Sequence, residues 1–448
     1  MFKLSKTKLV KYYNCIGIIL VLLLTLNISG YSQDSLSLKN ILKIGLEKNY
    51  SILIARNQEE ITQNNLSYAK YAFIPTASAT GRNTNSIVDT RQVFASGTTQ
   101  ERENAKSNAL TGAVNLDWTV FDGFGMFVGY NKVRELSELG KLNTRMNVEN
   151  LAAQISSEYY NFIRQNQLLK AMSYGMKLSS ERLEIASEKY KIGSFSRLEF
   201  LQAQVDYNAD SSQYIRQEEA VIASRIQLGK ILAYKLNFPD NWDDSIITDR
   251  NLILDNLLRS TLDKNTSLLI ASQNQILSQL DVKAIRSRYY PSITLNSAYN
   301  YTNSESQAGF ALSNRTTGIT YGATVNFNIL NRLDNQRQMR NAKIIQKNSD
   351  LEYENLKLEI TSELNQVWNN YSNNLRVLSL ETQNLQSSQE NLDIAMAKYR
   401  LGGLAGIEMR EIQKNFLDAN NRYITAQYLA KIAEITLKQI SGNIEEYF

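Results

Sequence analysis

Tyr190-Lys191-Ile192-Gly193, followed by Glu199, is repeated 209 residues later as Tyr399-Arg400-Leu401-Gly402, followed by Glu408. The same offset pairs Trp118 with Phe327, Asp122 with Asn331 and Tyr159 with Trp368. Upstream the offset becomes 216, pairing Lys48-Asn49 with Lys264-Asn265 and Pro75 with Pro291. The change falls between Pro75 and Leu116, so one short stretch carries an insertion. A repeat of this length is a duplicated half-molecule, far longer than a solenoid unit of about 20 to 50 residues. It divides the chain into a first repeat, 33–238, a linker, 239–250, and a second repeat, 251–448.

Around the Tyr-x-x-Gly segments the chain reads as helix. The only prolines are Pro75, Pro239 and Pro291, which leaves two long tracts without a helix breaker. Leu151, Ile155, Tyr159 and Phe162 form one apolar stripe, matched by Leu364, Trp368 and Tyr371. A helix from about Gly129 to Tyr190 would be roughly 90 Å long. Such helices need partners along their length, so coiled-coil-like packing is expected. The spacing predicts long helical hairpins over about 124–235 and 333–441.

Upstream of each hairpin the period changes to two. Leu110, Gly112, Val114, Leu116, Trp118 and Val120 alternate with more polar neighbours, and so do Ile319, Tyr321, Ala323, Val325, Phe327 and Ile329. Ile293, Leu295, Tyr299 and Tyr301 repeat the pattern, whereas Ala77, Ala79 and Gly81 give only a thin apolar face. The expected strands are 76–85, 109–121, 292–302 and 317–330, with polar loops at 86–108 and 303–316. Strands of about 10 residues with one apolar face suit a bilayer span. A soluble sandwich is the competing reading, but four strands separated by helices do not close a sheet. Small barrels need about eight strands. Chains must therefore pool them: two copies give eight strands, and three give twelve with room for a conduit.

The first 32 residues read as a signal peptide. Lys3, Lys6, Lys8 and Lys11 precede an apolar core from Ile16 to Leu26, and Ser29, Gly30 and Ser32 suit cleavage. A membrane anchor would need about 20 apolar residues. Cys15, the only cysteine, sits at the start of that core, where a lipid-attachment cysteine does not belong. Removing the segment lowers the net charge from +5 to +1, so no nucleic-acid partner is expected. The chain has no histidine. Without it, and without a cysteine in the mature chain, common metal, thiol and Ser-His chemistries are excluded. No enzyme, no cofactor and no metal site is expected.

The arrangement resembles the TolC family of outer-membrane efflux and secretion ducts. The likeness covers essentially the whole mature chain: the duplicated helix, β-hairpin and helical hairpin, Phe121-Asp122-Gly123 after a strand, and the two Tyr-x-x-Gly turns. The resemblance implies a mostly α fold with a membrane β-barrel portion. Three chains would form a twelve-stranded barrel in outer-membrane lipid, joined to a periplasmic α-helical barrel. A periplasmic adaptor and an inner-membrane transporter would be its partners. A secreted coiled-coil scaffold or adhesin is the alternative, and the amphipathic strands at repeat-related positions argue against it.

The resemblance also implies that Tyr190, Ile192, Gly193, Tyr399, Leu401 and Gly402 lie where adaptor tips dock; an ordinary helix–helix turn is the other reading. Glu199, Glu408 and Glu411 match positions where the family has aspartates ringing the tunnel constriction. Ser196-Arg197-Leu198-Glu199 is equally a capping box, whereas Ala405-Gly406-Ile407-Glu408 lacks the capping serine. Capping is therefore favoured for Glu199, and gating for Glu408 and Glu411. Leu404 stands where the family can have a gating arginine, with Arg197 and Arg410 nearby. Asp122 and Asn331, each between a strand and a helix, are expected to cap helix N-termini. Gly123, Gly125 and Gly129 do not fit the dinucleotide spacing. Phe448 ends the chain on an aromatic, as many barrel strands do, but after a helical segment.

Overall fold

The computed structural model describes residues 37–234, 245–308 and 311–447. The expected signal peptide with Cys15, the Pro239 end of the linker, and Phe448 lie outside the described residues. The first half contains α1 (Leu38–Lys48), α2 (Tyr50–Ala69), β1 (Thr76–Val93), β2 (Thr99–Asp122), α3 (Gly125–Lys191) and α4 (Arg197–Leu232). The second contains α5 (Leu254–Lys264), α6 (Thr266–Ser287), β3 (Ser292–Ser306), β4 (Ser313–Asn326), α7 (Asp334–Arg400) and α8 (Gly406–Ile440). The starts of α1, α2 and β1 precede those of α5, α6 and β3 by 216 residues, and those of α3 and α4 precede α7 and α8 by 209. The helices α3 and α7 have 67 residues each, or roughly 100 Å of rise.

The duplication reaches into the packing. One core gathers Ile41, Ile52, Ile155 and Leu228; another gathers Leu257, Leu268, Leu364 and Leu437. These are four repeat-related pairs at the same two offsets. The junctions match as well. Asn49 caps α2 by accepting from Ser51 N at 2.8 Å, and its amide donates to Ile231 O at 2.7 Å. Asn265 caps α6 by accepting from Leu268 N at 3.1 Å and donates to Ile440 O at 2.8 Å. Helix α3 packs against α4, α2, α6 and α8, so it is the seam between the halves. The segment after the undescribed residues is pinned: Ile246 enters the first core, and Asp249 O accepts from the Tyr371 hydroxyl.

The four strands form one antiparallel sheet in the order β1-β2-β3-β4. The strands are longer than the apolar alternation indicates. The β1–β2 pairing runs through the expected loop 86–108 as far as Val93 and Thr99, and β3–β4 pairing reaches Glu305 and Ser313. Alternation reports which face is apolar, whereas backbone pairing continues where both faces are polar. At its base β4 stops at Asn326, short of the expected 330, because the chain turns there through Arg332 (φ 56°) and Leu333 (φ 62°). No described helix is long and apolar enough to cross a membrane, which says nothing of a barrel.

The sheet has one apolar face. In the pairing register Val114 lies beside Tyr299 and Trp118 beside Leu295; Tyr299 lies beside Ile319 and Ile293 beside Val325. Tyr321, on β4, is 86% exposed. The other face carries Thr, Ser and Asn.

Candidate functional site

The helical hairpins turn at the two Tyr-x-x-Gly segments, and both turns close in the same way. Gly193 N donates to Tyr190 O at 3.0 Å and Ser194 N to Lys189 O at 2.8 Å. Gly402 N donates to Tyr399 O at 3.1 Å and Gly403 N to Lys398 O at 2.9 Å. These are Schellman closures, with Gly193 (φ 77°) and Gly402 (φ 83°) in the left-handed region that a Cβ disfavours.

The six tip residues do not share one environment. Ile192, Gly193, Leu401 and Gly402 are exposed, with Leu401 reaching 88%. Tyr190 is 41% exposed and stacks on Phe200 at 5.7 Å. Tyr399 is 1% exposed, packed in an apolar cluster with Leu178, Met396 and Met409. Burial pushes its phenol pKa up. The Lys189 amine donates to Tyr399 O at 3.0 Å and lies over the Phe195 and Tyr399 rings. Tyr399 thus belongs to the seam between the hairpins, and its surface role is withdrawn.

The acidic residues also divide. Glu199 completes the capping box: its carboxylate accepts from Ser196 N at 2.8 Å, and Ser196 Oγ accepts from Glu199 N at 3.3 Å. Glu408 lies in the first turn of α8, whose cap residue Ala405 makes no side-chain hydrogen bond. Both Glu408 and Glu411 are exposed. Glu199 and Glu411 meet in a cleft of about 520 Å³ between the starts of α4 and α8, lined also by Arg182, Asp206, Arg410 and Lys414. Glu408 does not line it.

The floor of this cleft is a buried ionic network that the sequence pattern did not reveal. Arg182, on α3 and 2% exposed, donates to Asp206 at 3.0 Å and to Gln413 Oε1 at 2.9 Å. Arg410, on α8, donates to both oxygens of Asp210 on α4, at 2.6 and 2.8 Å. Gln413 Nε2 donates to Gly175 O at 3.0 Å and Ser179 Oγ at 2.7 Å, and Ser179 Oγ donates to Asp210. Burial opposes the Arg410 charge, but the Asp210 hydrogen bonds and the Asp210 and Asp206 charges outweigh it and raise its pKa. Removing one partner from such a buried pair strands the other, typically at about 3–5 kcal/mol. Of the two arginines near the expected gate, Arg410 is engaged, and Arg197 is exposed on the first turn of α4. The spacing Arg410–Gln413 on one helix face and Asp206–Asp210 on another was the available signal.

The expected caps at the strand–helix junctions do not form. The N-cap of α3 is Phe124, left-handed at φ 70°, with no side-chain bond, and Asp122 Oδ1 is buried without a hydrogen-bond partner. The N-cap of α7 is Leu333 (φ 62°), again without a side-chain bond. Asn331 contributes only its backbone carbonyl, which accepts from Asp334 N at 3.1 Å. Both junctions turn through consecutive left-handed residues, Gly123 and Phe124 in the first and Arg332 and Leu333 in the second. Among the described residues no three His, Cys, Asp or Glu side chains converge as metal ligands.

Residues 257–443 match the model of a family described as outer membrane efflux protein. Among solved structures, the Campylobacter jejuni CmeC outer membrane channel superposes with a TM-score of 0.76 at 13% identity, over 92% of this chain and 86% of that one. CusC gives 0.74 at 15% identity, over 91% and 92%. The outer membrane protein VceC of Vibrio cholerae gives 0.74 at 14%, over 90% and 96%. No curated protein matches the chain in sequence.

Proposed function

From a second half that matches the outer membrane efflux protein family, and a fold shared with solved outer-membrane channels over nine-tenths of the chain, we propose that this protein is the outer-membrane channel of a tripartite efflux or secretion assembly. It is a passive duct, and its family is one of channels, not enzymes. The scaffold or adhesin reading has no support. The observation that carries the proposal is a four-stranded sheet with one apolar face, joined twice to helices of 67 residues. Four strands leave β1 and β4 each with a free edge. Three copies joined β4 to β1 make twelve strands, with the apolar face toward lipid and the polar face around a pore.

In this reading the two repeats are the structural units. The hairpin tips lie at the periplasmic end, where Ile192, Leu401 and the Gly193 and Gly402 turns meet an adaptor that leads to an inner-membrane transporter. Glu408 and Glu411 act at the constriction, and Glu199 serves mainly as a cap. The Arg182–Asp206 and Arg410–Asp210 network holds the two hairpins of one chain together and so limits the mouth.

Membrane fractionation and crosslinking in cells test the proposal directly. The expected result is a stable oligomer in the outer membrane and a raised accumulation of exported dyes when the gene is deleted. A soluble monomer with unchanged accumulation would sink it.

A further inference from the structure

From its base up to the level of Ser86, Ser107, Ser304 and Asn314, the polar face of the sheet is nearly free of charge. Segments 76–86, 107–119, 293–304 and 314–325 contain three charged residues: Arg82, Asp117 and Arg315. Arg315 lies on the apolar face, where it donates to the Tyr301 hydroxyl at 3.2 Å and covers that ring. Arg82 and Asp117 lie on the polar face. Arg82 stands in a row with Thr111, Thr302 and Thr316, and Asp117 in a row with Thr76, Asn296 and Gly322. No opposite charge shares either row. Six residues of β1 separate the two rows, roughly 20 Å along the strand.

We propose that Arg82 and Asp117 set the charge preference of the membrane-spanning pore, in opposite directions and at two separate levels. The proposal rests on the trimeric duct reading, which turns each residue into a ring of three. A ring of guanidinium groups favours anions and repels cations, and a ring of carboxylates does the reverse. The walls between them are threonine, serine, asparagine, alanine and glycine, which orient water without fixed charge. Between the base of the sheet and the level of Ser86, a permeating solute therefore meets one positive and one negative collar and otherwise a neutral polar surface. That suits cargo of low net charge, including zwitterions, better than polyions of either sign.

Reversal potentials in planar bilayers under a salt gradient test this on the full-length protein. Arg82→Gln is expected to raise the cation-to-anion permeability ratio by about twofold or more, and Asp117→Asn to lower it similarly. The double variant should return near the wild-type ratio. Attachment of a charged thiol reagent to Arg82→Cys, in a chain with Cys15 replaced by Ser, should reduce single-channel current. Channels that form normally with unmoved ratios in both variants, or that ignore the reagent, would overturn the assignment. If the wild-type protein forms no channels at all, the duct reading itself fails, and this proposal with it.

Discussion

Arg410 grips Asp210 through two hydrogen bonds, 2.6 and 2.8 Å long, and so ties the second helical hairpin to the first. The repeat-related positions, Leu201 and Ala419, cannot make this pair. The ionic lock is therefore not part of what the duplication copied. Asp210→Ala is expected to loosen the mouth and enlarge single-channel conductance, at a local cost of about 3–5 kcal/mol for the stranded guanidinium. The exchange Asp210→Arg with Arg410→Asp should recover part of the wild-type conductance. An unchanged conductance in Asp210→Ala would remove the network from control of the mouth.

The tip residues separate docking from stability. Leu401→Glu and Ile192→Glu alter exposed side chains and should leave thermal unfolding of the purified protein unchanged within about 0.5 kcal/mol, while export is lost. Tyr399→Ala opens a cavity in a packed cluster and should cost about 3–5 kcal/mol. Comparing unfolding midpoints with dye efflux in the same variants checks both.

At Gly193 and Gly402 the left-handed backbone leaves no unstrained place for a β-branched side chain. Replacing both by Val should cost on the order of 1–2 kcal/mol per position and abolish efflux while the oligomer still assembles. Efflux at wild-type rates would count against the tips as docking points.

The glutamates should respond differently. Ser196→Ala removes an N-cap and should destabilise by about 1 kcal/mol, whereas the pair Glu408→Ala and Glu411→Ala should leave unfolding unchanged and shift cation selectivity. A selectivity shift from Ser196→Ala equal to that of the glutamate pair would undo the distinction.

Asn49 and Asn265 show how much of the fold was legible. Their shared Lys-Asn pair marked the 216-residue offset in the sequence, and in the fold each asparagine both caps a helix and bonds the carbonyl of a distant one. Local periodicity exposed the long helices, since apolar stripes and missing prolines act along one element. It understated the strands, because Ser86 to Ala105 pairs in a hairpin whose two faces are both largely exposed. It also misjudged Asp122, whose capping chemistry was right for the position but lost to a left-handed turn at Gly123 and Phe124. The Arg182–Asp210 network left only the Arg410–Gln413 and Asp206–Asp210 spacings as a trace in the sequence, because it joins three helices across more than 200 residues of chain.

The exposed sheet has a consequence for the life of the protein before it works. A single chain carries a greasy β-surface, with Tyr321 almost wholly bare, and two unpaired strand edges that invite pairing with any similar strand. With both edges uncovered, it is an aggregation hazard in water. In the proposed trimer the β4 edge of one copy covers the β1 edge of the next, so the step that makes the pore also removes the hazard.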